Sequence, residues 1–160
     1  MSKWSLDLSE YARKRKVEIQ EVRKTYAYAL YSSIVYKTPA DTGRARANWN
    51  VSVNEPDTST TDKGRKTPKP ISAMPKVEGD ESIFISNNLP YIETLEYGGY
   101  PKDVKKGTKV SKKGESPARY EIRSQNGYSK QAPEGMVGVT LANNENIFNA
   151  AVRAVKGKSK

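Results

Sequence analysis

Residues 36–53 read Y-K-T-P-A-D-T-G-R-A-R-A-N-W-N-V-S-V, and this stretch decides the fold because one periodicity gives way to another inside it. Thr38 precedes a proline, whose ring disfavours the helical region at the residue before it, so a helix arriving from the N-terminal side should end there. Pro39 fixes its own φ. Asp41 and Thr42 can bond their side-chain oxygens to nearby backbone N–H groups, and Gly43 can take the positive φ of a tight reversal. From Ala47 onward, Ala47, Trp49, Val51 and Val53 alternate with Asn48, Asn50, Ser52 and Asn54, which predicts a half-buried strand.

Upstream, Ile19, Val22, Tyr26, Leu30 and Ile34 recur at helical spacing, with Ala29 and Ser33 as small neighbours and Ser9 as the expected N-cap. Residues 1–8 are expected to be a loose arm, with Trp4, Leu6 and Leu8 able to dock on a neighbour. The helix's first half mixes Arg13, Lys14, Arg15, Lys16, Arg23 and Lys24 with Glu10, Glu18 and Glu21, the pattern of a solvated, salt-bridged face.

Downstream, residues 55–77 lose all periodicity and fill with Asp, Thr, Ser, Lys and Pro, which predicts a long mobile loop. Ile83, Phe84 and Ile85 put apolar side chains on both faces of a short strand, expected centrally in the sheet or under a helix. A turn at residues 87–90 should lead, with Pro90 in first position, into a short helical turn over 91–97 that Gly98 and Gly99 stop. Residues 100–130 form a second long loop, within which 118–123 alternate as a strand or hairpin arm. Pro133 opens a last helical pattern with Val137, Leu141, Phe148, Ala151, Val152 and Val155 on one side, interrupted at Asn143 and Asn144, and residues 156–160 should fray. The chain therefore reads as one α+β domain over 1–160, with a small antiparallel sheet packed against a long N-terminal helix and a C-terminal helix.

Composition narrows the chemistry. The 160 residues contain no cysteine and no histidine, which removes disulfides, thiol nucleophiles, Cys/His zinc sites and the usual general base near neutral pH. Charge appears within the first seven residues, unlike a secretory signal, and the longest uncharged helical run, 25–36, falls well short of the roughly 20 apolar residues of a membrane span. Glu93 and Glu96 are the best-placed carboxylate pair, but neither they nor Gly98, Gly99 and Gly114 match a catalytic, phosphate-binding or metal-ligand spacing, so no enzyme, cofactor or metal is expected. The net charge of +10 favours nucleic acid or an acidic partner, and Lys102, Lys105, Lys106, Lys109, Lys112, Lys113, Arg119 and Arg123 concentrate it beside Tyr100, Tyr120 and Tyr128.

Three separated segments resemble one family. Thr38-Pro39-Ala40-Asp41-Thr42-Gly43-Arg44, with Trp49 in the strand after it, is similar to the P-x-D-T-G-x-L/A-R signature of the tail-completion, or minor tail component, proteins of long-tailed bacteriophages. Asn87-Asn88-Leu89-Pro90-Tyr91-Ile92-Glu93-Thr94-Leu95-Glu96-Tyr97-Gly98 resembles the second signature of that family. Gln131-Ala132-Pro133-Glu134-Gly135-Met136-Val137 resembles the third. Ala45 departs from it, standing where a larger aliphatic is common, and both long loops match no pattern.

The resemblance implies a structural protein of the virion, assembled in the host cytoplasm, that finishes the head-proximal end of the tail and enables head–tail joining around the DNA channel. Its expected partners are copies of itself in a ring, put at a hexamer, other neck and tail proteins such as the tail terminator and head-closure protein, and DNA in the channel, with no membrane. The signature residues would then be architectural, with Arg44 paired to Glu96 and Asp41 capping the turn. The basic residues of 100–130 would face a neighbouring protein in preference to DNA. The alternative is a basic nucleic-acid-binding protein that uses this Lys/Tyr-rich loop.

Overall fold

The computed structural model describes residues 3–100, 105–106 and 121–158, with side chains described over 10–100 and 123–157. Its architecture is α+β. Helix α1 spans Lys3–Lys37, and its 35 residues make a rod roughly 52 Å long at 1.5 Å per residue. Ser9 therefore lies inside the helix and does not cap it. The side chains of Trp4, Leu6 and Leu8, expected to dock, lie outside those described.

On the C-terminal half of α1, Ala27, Tyr31, Ile34, Val35 and, just past its end, Thr38 are buried. Their spacing of four, three and one lines a single face, and the core cluster that this face joins also takes in Ala45, Trp49, Leu89, Leu95, Ala132 and Met136. On the N-terminal half, residues 10–17 are exposed on every side and Ile19 is 58 % exposed. Helical periodicity marks which residues share a face. It does not say how far along that face a partner reaches.

The end of α1 follows from Thr38. Its N–H donates to Ile34 O at 2.9 Å and its hydroxyl donates to the same carbonyl at 2.7 Å. The hydroxyl also accepts from Trp49 Nε1 at 2.8 Å, which ties the helix end to the residue before the first strand. Arg46 adds a second fastening, donating Nε to Thr38 O at 2.7 Å, Nη2 to Tyr36 O at 3.1 Å and Nη1 to Lys66 O at 2.8 Å. A cation on the last carbonyls suits the helix dipole and satisfies acceptors that have no intrahelical donor.

The strand begins later than the alternation from Ala47 predicts. Arg44–Ala47 forms a single helical turn, α2, with Gly43 at its N-cap at φ 80, and strand β1 is Asn50–Val53. Gly43 admits no side chain, since a Cβ there would stand 2.6 Å from Arg65 O.

Strand β2, Ile83–Ser86, pairs antiparallel with β1 in the register Asn50↔Ser86, Val51↔Ile85, Ser52↔Phe84 and Val53↔Ile83. Val51 and Ile85 pack against the core cluster. Their sheet has two strands, so of the two placements its apolar run suggests β2 is not central but lies against the helix, with Ile85 on the cluster that holds Tyr31, Ile34 and Val35 of α1.

The opposite face of the sheet explains the asparagines. Asn48 and Asn50 are buried, and they hydrogen-bond the long connection that follows β1. Asn48 donates to Thr61 O and accepts from Thr61 N, at 2.8 and 2.7 Å. Asn50 Nδ2 donates to Ser59 O at 3.1 Å, and Ser86 Oγ to Asp57 O at 2.7 Å. The loop read from 55–77 is present, with one 3-10 turn at Ile71–Ala73. It is held by side-chain bonds to its backbone more than by apolar burial.

Helix α3, Ile92–Tyr97, ends at Gly98 with φ 81. Lys105–Lys106 (β3) pairs with Glu121–Ile122 (β4), and Ser124–Gln125 (β5) pairs with Tyr128–Ser129 (β6) through Asn126 and Gly127, both at positive φ. Two positive-φ residues between paired strands is the type I′ hairpin that Asn-Gly favours.

Pro133 does not open the last helix. Gly135 at φ 79 intervenes, and α4 runs Val137–Ala142, followed across Asn143 by α5, Asn144–Lys158. The expected break is therefore present, while α5 extends to Lys158, into the segment expected to fray. Ser33 meets Thr140 at 3.2 Å and the Tyr26 ring meets Phe148 edge-on at 5.4 Å, so α4 and α5 run back along α1 in the opposite sense. Ala151 and Val155 are buried, but Leu141 and Phe148 are 50 % and 44 % exposed, because the break restarts the helix and splits the expected single face.

Candidate functional site

Glu96 joins two of the three segments. Its Oε2 accepts from Met136 N and Val137 N, each at 2.8 Å, and its Oε1 from Gly138 N at 2.8 Å. The first N–H groups of α4 have no intrahelical acceptor, and one carboxylate satisfies three of them across 40 to 42 residues of sequence. Gly135 permits the approach, since a Cβ there would lie 2.4 Å from Glu96 O. The expected pairing of Arg44 with Glu96 is therefore not formed. Arg44 Nη2 instead meets Asp62 Oδ1 at 2.8 Å.

Beside this lock lies a cleft of about 240 Å³. The first segment contributes Pro39, Asp41, Thr42, Gly43, Arg44 and Ala45, the second Tyr91 and Leu95, and the β5–β6 hairpin Arg123, Ser124, Ser129, Lys130 and Gln131, with Tyr100 beside them. Asp41 Oδ1 accepts from Arg123 Nη1 at 3.0 Å, and Gln131 Oε1 accepts from Ala40 N at 2.8 Å, so the hairpin is pinned to the corner after α1. Asp41 thus reaches across the cleft, and the N-cap of α2 is Gly43 with no side-chain bond, in place of the cap expected from Asp41.

The walls combine an apolar floor with cations. Arg44, Arg123 and Lys130 line it with Asp41; Arg123 is paired with Asp41 and Arg44 with Asp62 just outside, which leaves Lys130 as the cation with no carboxylate partner among the described residues. Arg44 Nε is buried with no acceptor among the described residues. The Tyr100 phenol, neutral at physiological pH in any case and pushed further above its ordinary value by burial, can donate. The arrangement suits an anionic group carried on a small apolar body.

Of the residues expected in a site, Pro39, Asp41, Thr42, Gly43, Arg44, Tyr91 and Arg123 line this cleft. Thr38, Trp49 and Met136 are buried beneath the corner. Asn87 braces it, donating Nδ2 to Ala45 O at 2.9 Å. A Cβ at Gly98 would stand 3.1 Å from the Tyr128 ring.

Pro90, Tyr97 and Pro133 are exposed and line no part of the cleft, and Glu93 is exposed. Lys102, Lys109, Lys112, Lys113 and Arg119 lie outside the described residues, as does Tyr120, and of Lys105 and Lys106 only the strand they form is described.

Two contributors were missed. Arg46 carries no local signal, since its three acceptors are backbone carbonyls brought together by the fold. The hairpin residues Ser124, Ser129 and Lys130 did carry one, because Asn126-Gly127 is the strongest short-range hairpin signal a sequence offers, while Gln131 beside them opens the third segment. No protein-family model, no curated protein and no solved structure matches this chain.

Proposed function

We propose that this chain is a structural subunit of a phage neck or tail-completion ring, which finishes the head-proximal end of the tail and enables head–tail joining around the DNA channel. The observation that carries the reading is that the segments behind the resemblance, far apart in sequence, meet. Glu96 of the second holds the start of α4 in the third, and Ala40 of the first is bonded to Gln131 of the third. Their polar groups serve one another, which gives these residues an architectural purpose.

The exposed half of α1 supports the same reading. Tyr11, Val17 and Ile19 are each more than half exposed on a helix that outruns the core, as suits an element that meets other subunits. The assay is a phage stock lacking the gene, imaged in negative stain, together with the mass of the purified assembly. Tails that fail to join heads, and a multi-subunit mass, are the expected results. Normal, infectious particles would overturn the proposal. Salt-dependent binding of the purified chain to random duplex DNA at physiological ionic strength would favour the basic nucleic-acid-binding alternative.

A further inference from the structure

The geometry points to a specific contact between copies: the cationic cleft beside the first segment receives the acidic loop at residues 78–81 of the next copy. The inference rests on the ring reading above and deepens it by naming the two surfaces that meet. With 28 Lys and Arg against 18 Asp and Glu, two copies of this chain repel one another over most of their surfaces. Association is therefore favoured where the least typical part of one copy, an acidic patch, meets the cations of another.

The densest acidic run in the chain is Glu78-Gly79-Asp80-Glu81, with three carboxylates in four residues. It stands out from the body. A Cβ at Gly79 would find nothing within 4 Å, and Asp80 is exposed. Its base is held: Gln20 Nε2 donates to Gly79 O at 2.9 Å, Arg23 donates to the carbonyls of Gly79 and Glu81, and Glu81 accepts from Glu78 N at 2.8 Å. Glu78 is paired with Lys76 at 2.7 Å, and Glu81 accepts from Asn54 Nδ2 at 3.1 Å as well as from Glu78 N, which leaves Asp80 as the exposed carboxylate of the run with no partner among the described residues.

On the receiving side, the cleft of about 240 Å³ is sized for one or two side chains. Lys130 on its wall is exposed and has no carboxylate partner among the described residues.

Position completes the argument. The acidic loop is fastened to α1 at Gln20 and Arg23, and the cleft abuts the far end of that helix at Pro39. The fourteen helical steps from Arg23 to Lys37 put the two patches roughly 21 Å or more apart on one rigid rod, so the loop cannot fill its own cleft. Two different patches that complement each other make a head-to-tail contact, and such contacts close into rings when the rotation permits.

Because the chain has no cysteine, single thiols report this contact directly. Full-length D80C and K130C, one isotope-labelled, are mixed, joined with a short bismaleimide that spans the reach of a lysine–aspartate pair, which a direct disulfide would not, and resolved by mass. The expected result is the mixed cross-link in about tenfold excess over either homodimer, suppressed by added salt. Mixed and homodimeric species in statistical proportion, or no cross-link, would overturn the contact.

In parallel, D80K and K130E should each weaken association of the uncrosslinked chain about tenfold, and D80K/K130E should restore it. No recovery in the double variant counts against the contact. A multi-subunit wild-type mass without the mixed cross-link leaves the ring standing and sinks this contact. The mixed cross-link with a dimeric mass keeps the contact and sinks the ring.

Discussion

The two halves of α1 belong to one uninterrupted helix, and the rest of the chain treats them differently. Along 27–38, Tyr31, Val35 and Thr38 are almost wholly enclosed, and the Tyr31 hydroxyl accepts from Lys69 N at 3.0 Å while the Thr38 hydroxyl serves both Ile34 O and Trp49 Nε1. Along 10–17 no residue is buried, and the side chains bond one another, as Arg15 does with Glu18 at 2.6 Å and with Tyr11 at 3.1 Å. One half is specified by the fold. The other is specified by helix propensity and short-range charge pairs, each worth only a few tenths of a kcal/mol. Substitutions along the exposed N-terminal half should therefore be felt in assembly, and substitutions along or beneath 27–38 in stability.

The sharpest way to break this contrast is Trp49→Ala. It empties the space under the buried end of α1 and leaves the Thr38 hydroxyl without its indole donor. A loss of about 3–5 kcal/mol is expected for a buried ring of this size, read as the shift in a urea unfolding curve at constant slope. A loss below about 1 kcal/mol would mean that the corner is not packed as described.

Next comes Glu96→Ala, which leaves the first N–H groups of α4 open and should cost about 2–3 kcal/mol, with Glu96→Gln recovering part of it. If Arg44→Ala cost as much as Glu96→Ala, the pairing with Asp62, which is almost fully exposed, would have to be worth more than exposed pairs are.

The same buried end carries a pH signature. Burial holds the Tyr31 phenol above its ordinary value of 10.0. The folded chain therefore keeps a proton that the unfolded chain has already released, so the stability this group contributes is full below about pH 10 and is lost as pH rises toward the folded value. The expected outcome is a thermal midpoint that falls as pH climbs past 10, with a shallower fall in Tyr31→Phe. An unchanged slope in that variant would place the alkaline sensitivity elsewhere.

Legibility in the sequence follows the same division. The helix end at Thr38, the stop at Gly98 and the break at Asn143 were all readable, because each depends on what one or two residues do to their own backbone. The burial of Asn48 and Asn50 was not readable. Alternation says which side chains share a face of a strand, and a polar face is expected to meet water. Here a polar loop lies on it, and the asparagines bond that loop's backbone. Nor could spacing reveal the acceptors of Arg46 or the donors to Glu96, since both sets exist only once distant segments have met. Of the cleft, the corner and the short helix were legible through the three signature segments. The hairpin wall was legible only through Asn126-Gly127.

The smallest expected change is the one that most sharpens the contrast. Ile19→Ser replaces an apolar side chain that is already 58 % exposed, so little apolar area leaves water on folding and the unfolding midpoint should move by no more than the equivalent of about 0.5 kcal/mol. Isoleucine and serine have about the same helix propensity, so the part of Ile19 that is covered sets the sign of the small change. If Ile19 instead meets another subunit, its burial there is worth about 1–2 kcal/mol, or roughly tenfold in association, and the loss will be seen in the concentration dependence of the assembled mass. A variant that unfolds like the wild-type chain but assembles at higher concentration would separate the two halves of α1 by function. One that loses stability and assembles normally would show that this stretch is covered within the subunit itself.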